Sequence, residues 1–190
     1  NVKYRSADKQ FQQEPKAERT LYNIDAVFKR WENATTEETS NNWHIDGDPW
    51  RTIIFVEGEI DVLALWECGI QNVVTLPDGA PQEAKYDAED KRYRAIGSHP
   101  WLEAAEKIII AVDTDSPGNA LALELAHRFG TDRCWRVQWP DMNDCPTKDA
   151  NEALIEHGAE AVQESIKLAT PYPIDGVYAV EDYAADVLDI

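Results

Sequence analysis

The chain has 190 residues, with 18 Lys+Arg against 36 Asp+Glu and a formal net charge of −18. That length suits one domain of ordinary size with a substantial core, and 43% hydrophobic with 28% charged residues excludes wholesale disorder. No apolar run approaches the ~20 residues a bilayer-spanning helix needs. A pI near 4.5 argues against direct gripping of phosphates, unless divalent cations bridge acid to phosphate or the basic surface lies on a neighbouring part.

The opening Asn1-Val2-Lys3-Tyr4-Arg5 has neither Met nor a signal segment and reads as the interior of a longer chain. Residues 1–50 are mixed and polar, locally basic at Lys3, Arg5, Lys9 and Lys16. A short amphipathic piece is expected over 21–31 and a loop over 32–42. This portion reads as the tail of a preceding subdomain.

From Arg51 the texture changes. Thr52–Val56 is a short β-branched run, expected as a buried strand. Residues 60–68 predict a helix with Ile60, Leu63, Ala64 and Cys68 on its inner stripe and Gly69 as its stop. Residues 72–76 predict a second strand ending at the turn Pro77-Asp78-Gly79. The charged 83–94 stretch reads as a solvated face. A third strand is expected at 107–112, a helix at 119–129 with Leu121, Leu125 and Phe129 inward, and a strand at 134–138. A loop over 140–147 and helices at 149–157 and 159–169, divided at Gly158, complete the pattern. Such alternation predicts an α/β fold, a mainly parallel sheet flanked by helices, with its chemistry at the carboxyl ends of the strands.

Cys68, Cys134 and Cys145 are odd in number and far apart, which argues against a disulfide framework and suits a reducing compartment. His44, His99, His127 and His157 are scattered, without metal-ligand spacing. Trp43, Trp50, Trp135 and Trp139 could stack on bases, although packing is the expected role.

The acids carry the chemistry. Glu57, Glu59 and Asp61 follow the first strand, Asp113 and Asp115 the third, and Asp149 opens a helix after Asp141 and Asp144. In D-x-D at a strand end, alternate residues share a face, so both carboxylates offer oxygens to a hard cation such as magnesium. Gly58 and Gly118 stand where strand turns into helix and backbone must approach closely, and the helix starts there offer amides to phosphate. Plain helix capping would explain Glu59, Asp61 or Asp149 singly. It does not call for Glu57, Asp113 and Asp115 at two separate strand ends. Lys148 could neutralise a phosphate or simply be solvated.

The ordered set F-V-E-G-E-I-D-V-L-A-L, L-P-D-G-A, I-I-I-A-V-D-T-D-S-P-G and K-D-A-N-E resembles the TOPRIM domain of primases, topoisomerases and nucleases. L-P-D-G-A and K-D-A-N-E resemble the Twinkle-like primase-helicases of phages and organelles in particular. Lys9-Gln10-Phe11-Gln12-Gln13-Glu14-Pro15 resembles the segment before TOPRIM there, and Tyr172-Pro173-Ile174-Asp175-Gly176 with Asp182-Tyr183 the linker into the helicase. The resemblance implies a Rossmann-like TOPRIM catalytic domain at 51–169, a basic-subdomain tail at 1–50 and a linker at 170–190. It further implies Glu57 as general acid/base or metal ligand, Asp113 and Asp115 as magnesium (or manganese) ligands, Asp149 as an outer ligand, and Gly58, Asp61, Gly118 and Lys148 in support. The implied activity is RNA-primer synthesis from ribonucleoside triphosphates on single-stranded DNA, with a replicative helicase domain in the same parent chain. The implied setting is the cytoplasm of a bacterial or phage-infected cell rather than an organelle. Lacking a zinc module and most of the basic subdomain, the segment is not expected to prime by itself. The rivals are a metal-dependent TOPRIM nuclease and a non-catalytic TOPRIM scaffold of a helicase. A haloacid dehalogenase-type phosphatase would share D-x-D but give Glu57-Gly58 no role.

Overall fold

A computed structural model describes residues 3–6, 11–34, 51–142 and 145–173. The chain opens with a short antiparallel pair, β1 (Lys3–Arg5) and β2 (Phe11–Gln13), and an amphipathic helix α1 (Ile24–Ala34). Then come β3 (Thr52–Val56), α2 (Glu59–Glu67) and β4 (Val73–Thr75). A 3-10 turn at Lys91–Tyr93, the single-turn α3 (Arg94–Gly97) and a second 3-10 turn at Pro100–Ala104 lead into β5 (Lys107–Ile110). The rest is α4 (Ser116–Phe129), β6 (Cys134–Arg136), the small hairpin β7 (Asp141–Met142) with β8 (Cys145–Pro146), α5 (Ala150–Lys167) and β9 (Thr170–Pro171).

The main sheet has the order β4-β3-β5-β6-β9. Its first four strands are parallel and β9 closes the edge antiparallel to β6. Both faces are covered, as the continuous apolar strands require. Ile53, Phe55, Ile108 and Ile110 point to a core shared with α1, α4 and the 93–105 segment. Their alternates Ile54, Val56 and Ile109 point to a second core under α2 and α5. Each such side chain, fully buried, contributes roughly 1.5–3 kcal/mol.

The α/β expectation thus holds, with local corrections. On α2 the inner face is Asp61, Val62, Ala64 and Leu65, whereas Ile60 and Leu63 are about half exposed. The helix is apolar nearly all round, so periodicity could not choose its face; packing against α5 did. The 83–94 stretch is not wholly solvated, because Tyr93 is buried and the buried Glu124 carboxylate accepts bonds from the Lys85 and Tyr86 amides at 2.6 and 2.8 Å. The two expected C-terminal helices run on as α5, broken at Gly158, whose φ of 80° interrupts the helical path. The expected loop over 140–147 contains the β7–β8 hairpin. Trp139 belongs to the core and Trp135 packs against it under the Lys107 ammonium. Trp43, Trp50, most of the expected 32–42 loop and the segment beyond Pro173 lie outside the described residues. Cys68 and Cys134 are free, buried thiols. Among the described residues no helix is long and apolar enough to cross a membrane.

Candidate metal centre

The central strands β3 and β5 run parallel in register, Phe55 beside Ile110, and the Ala111 amide still bonds the Phe55 carbonyl at 2.8 Å. Their carboxyl ends therefore deliver Glu57 and Asp113 to one place. Asp115 joins them as the N-cap of α4, its Oδ1 accepting from the Gly118 amide at 2.9 Å. One carboxylate oxygen from each of Glu57, Asp113 and Asp115 lies within 4.8 Å of the others.

Local backbone explains this convergence. The first turn of α4 presses on the strand end so closely that a Cβ on Gly118 would lie 2.7 Å from the Asp113 carbonyl carbon. Glycine alone permits that approach. Gly58 caps α2, and its amide donates to Asp61 Oδ2 at 3.1 Å.

Lys148 reaches the cluster from the turn before α5. Its Nζ lies 2.9 Å from Asp113 Oδ2 and 3.1 Å from Asp115 Oδ2, and these ion pairs raise its pKa. Its backbone is held too: Lys148 N donates to Glu152 Oε2 at 3.0 Å, and Lys148 O accepts from Thr114 N at 3.0 Å.

Asp61 and Asp149 stand apart from the three-carboxylate cluster. Asp61 is buried and joins α2 to α5, its Oδ1 accepting from the Asn151 amide at 3.3 Å. Asp149 caps α5, accepting from the Glu152 amide at 2.8 Å. Its charge still reaches Asp61 and Asp113.

The electrostatics follow from crowding acids at a partly dry edge. Burial, then the charges of Asp113 and Asp115, push Glu57 up to about 7. Burial, then Asp149 and Asp113, push Asp61 up to about 7. Burial raises Asp113 as well, against the pull of Lys148. At Asp115 burial is the largest single influence and acts upward, but the Gly118 amide and the Lys148 ammonium together outweigh it and hold the carboxyl below its ordinary value.

Two observations test whether the site suits a divalent cation. Glu57 Oε2 is buried without a hydrogen-bond partner among the described residues, an arrangement that costs free energy unless something binds it. Lys148 meanwhile places a positive charge between two of the carboxylates. The donors are all carboxylate oxygens, the ligand type of magnesium and manganese. The residues fit such an ion.

Sequence reasoning missed Arg136. It lies on β6 beside Ile110, and its guanidinium reaches the strand end that carries Asp113. The available signal was a charged residue ending the short strand Cys-Trp-Arg, where a half-buried charge needs partners.

Comparison with known proteins agrees with the fold and the motifs. Residues 51–137 match the Toprim domain model. The chain is 40% identical to the Arabidopsis thaliana "Twinkle homolog protein, chloroplastic/mitochondrial", over 98% of this chain and 24% of that protein. It is 41% identical to the Arabidopsis "Primase homolog protein", over 92% of this chain and 48% of that one. The chain thus spans about a quarter and about half of these curated relatives. Among solved structures, the primase fragment of the bacteriophage T7 primase-helicase protein superposes with a TM-score of 0.53 at 21% identity, covering 86% of this chain and 55% of that one. With strand order, motifs and relatives in agreement, residues 51–137 of the chain carry a Toprim domain, and it is of the primase type.

Proposed function

We propose that this chain is the catalytic Toprim domain of a DNA primase or primase-helicase that makes RNA primers on single-stranded DNA. The observation that carries the proposal is the convergence of Glu57, Asp113 and Asp115, with a buried carboxylate oxygen of Glu57 left unpaired among the described residues. Asp113 and Asp115 would hold magnesium or manganese, with Glu57 as third ligand or as general base, and Asp149 contributes charge from just outside. Such an ion supplies charge neutralisation for a triphosphate and eases deprotonation of an attacking hydroxyl. The chain's own contribution is positional. Gly58 and Gly118 let the turns close, Asp61 ties the Glu57 turn to α5, and Lys148 offers a positive charge beside the acids for a phosphate oxygen.

Template and nucleotide grip, and a helicase domain, belong to the parent protein in this reading. Residues 1–50 form the tail of the preceding basic subdomain, 51–169 the catalytic domain and 170–190 the linker. A bacterial or phage-infected cytoplasm suits this reading, and an organelle suits it as well, on the name of the 40% identical relative.

The test is primer synthesis by the full-length protein on single-stranded template with ribonucleotides. Glu57→Gln should cost ~10²–10⁴-fold in primer yield, the usual loss for a general acid or base, with thermal stability nearly kept. Asp113→Ala/Asp115→Ala should remove both priming and calorimetric Mn²⁺ binding. Near-normal priming by Glu57→Gln would show that the wrong residue has been named, and shortening of the template without synthesis would favour a nuclease.

A further inference from the structure

The strand carrying Asp113 continues past the point where its sheet ladder stops. The last backbone bond between β5 and β6 runs from the Val137 amide to the Ile110 carbonyl at 3.0 Å. Beyond it, the carbonyls of Val112, Asp113 and Thr114 are held by side chains. Arg136 Nη1 donates to Val112 O at 3.0 Å, and Nη2 donates to Asp113 O at 2.8 Å. A longer contact of Nη2 with Asn119 Oδ1 at 3.4 Å links the guanidinium to α4, and Asn119 Nδ2 in turn donates to Thr114 O at 3.3 Å. The guanidinium lies close enough to sense the charges of Asp113 and Glu57.

We propose that Arg136 is a positioning residue of the metal centre: its guanidinium, bonded to the Val112 and Asp113 carbonyls, sets the aim of the Asp113 and Asp115 carboxylates. This rests on the metal-binding reading above. Here the Thr114 amide is tied to Lys148 O and Trp139 Nε1 makes a longer contact of 3.4 Å with Val112 O, but without ladder bonds the peptide planes keep some freedom to rotate, and each rotation swings the attached Cβ. A rigid planar fork that bonds successive carbonyls removes that freedom, whereas a Lys ammonium is a point charge with no fixed fork. Partners of this kind, one step behind the ligands, typically govern metal affinity by 10–100-fold.

The experiment compares Mn²⁺ binding by calorimetry in the full chain for wild type, Arg136→Lys and Arg136→Met, each well below its own melting temperature. Val162→Ala, in the core under α5, serves as a destabilised control. Amide exchange at Thr114, whose N–H bonds Lys148 O, is read without metal. Both Arg136 variants should weaken Mn²⁺ binding by about 10–100-fold and speed exchange at Thr114, while Val162→Ala does neither. Full recovery by Arg136→Lys would mean that only charge matters and would overturn the proposal. So would unchanged affinity in both variants, or an equal loss in Val162→Ala. If wild type itself binds no Mn²⁺, the metal reading falls; the metal-free exchange then decides whether Arg136 holds the turn, and unaltered exchange at Thr114 refutes it.

Discussion

At the scale of single residues, Glu57 and Asp61 make the protein's response to pH unusual for an acidic chain. Both are raised to about 7, from ordinary values of 4.5 and 3.8. Between those limits the folded chain keeps protons that the unfolded chain has released. Stability therefore falls as pH rises through this window, the reverse of a salt-bridged carboxylate. Their contribution is fully present below the unfolded values and lost once pH passes the folded ones. Thermal melts in chelator should show a midpoint that drops from about pH 5 to about pH 7.5, and saturating Mg²⁺ should offset the drop at the upper end by binding the ionised site. A midpoint that climbs over the same range would mean both carboxyls ionise normally. The spacing of Glu57, Asp113 and Asp115 was legible because each follows an apolar strand. The resemblance implied a supporting role for Asp61, but neither its tie to α5 nor any role for Arg136 was legible, since their partners, the Asn151 amide and the Val112 and Asp113 carbonyls, are distant in sequence or are backbone groups.

At the scale of elements, the site depends on how tightly α4 follows β5. Gly118→Ala would force a methyl against the Asp113 carbonyl, backbone that cannot swing aside like a side-chain tip. The expected cost is about 1–3 kcal/mol in stability, as for overpacking a close contact, together with weaker Mn²⁺ binding as Asp113 moves. Denaturant unfolding and calorimetry on the same preparation measure both, and an unchanged midpoint would show that α4 relaxes freely. The strand-helix alternation was legible where runs were long enough to show a period. The edge strand β9, the β7–β8 hairpin and the β1–β2 pair are two or three residues per strand, too short for alternation to register.

At the scale of the whole molecule, the net charge of −18 sets how the chain meets nucleic acid. Phosphate binding draws its affinity from counterion release by Lys and Arg, and an excess of acids gives repulsion instead. The isolated chain should bind single-stranded DNA weakly at physiological salt, and Mn²⁺ should strengthen binding by bridging the acid cluster to phosphate. Fluorescence anisotropy with and without metal measures this. Sub-micromolar binding in chelator would place a basic contact surface within this chain.

By itself the sequence determined the α/β class, the order of the central elements and the three acids at the strand ends, because short-range periodicity and strand-end position encode all of these. Tertiary structure decided what depends on contacts between distant segments. It turned α2 so that Asp61 faces α5 and Ile60 and Leu63 face outward. It set Lys148 between two carboxylates, and it aimed Arg136 at the strand end that bears Asp113. A charge pattern along the chain names the acids; only the packing of β3, β5 and β6 with α4 and α5 fixes how near they stand and how dry they are, and hence where their protons go.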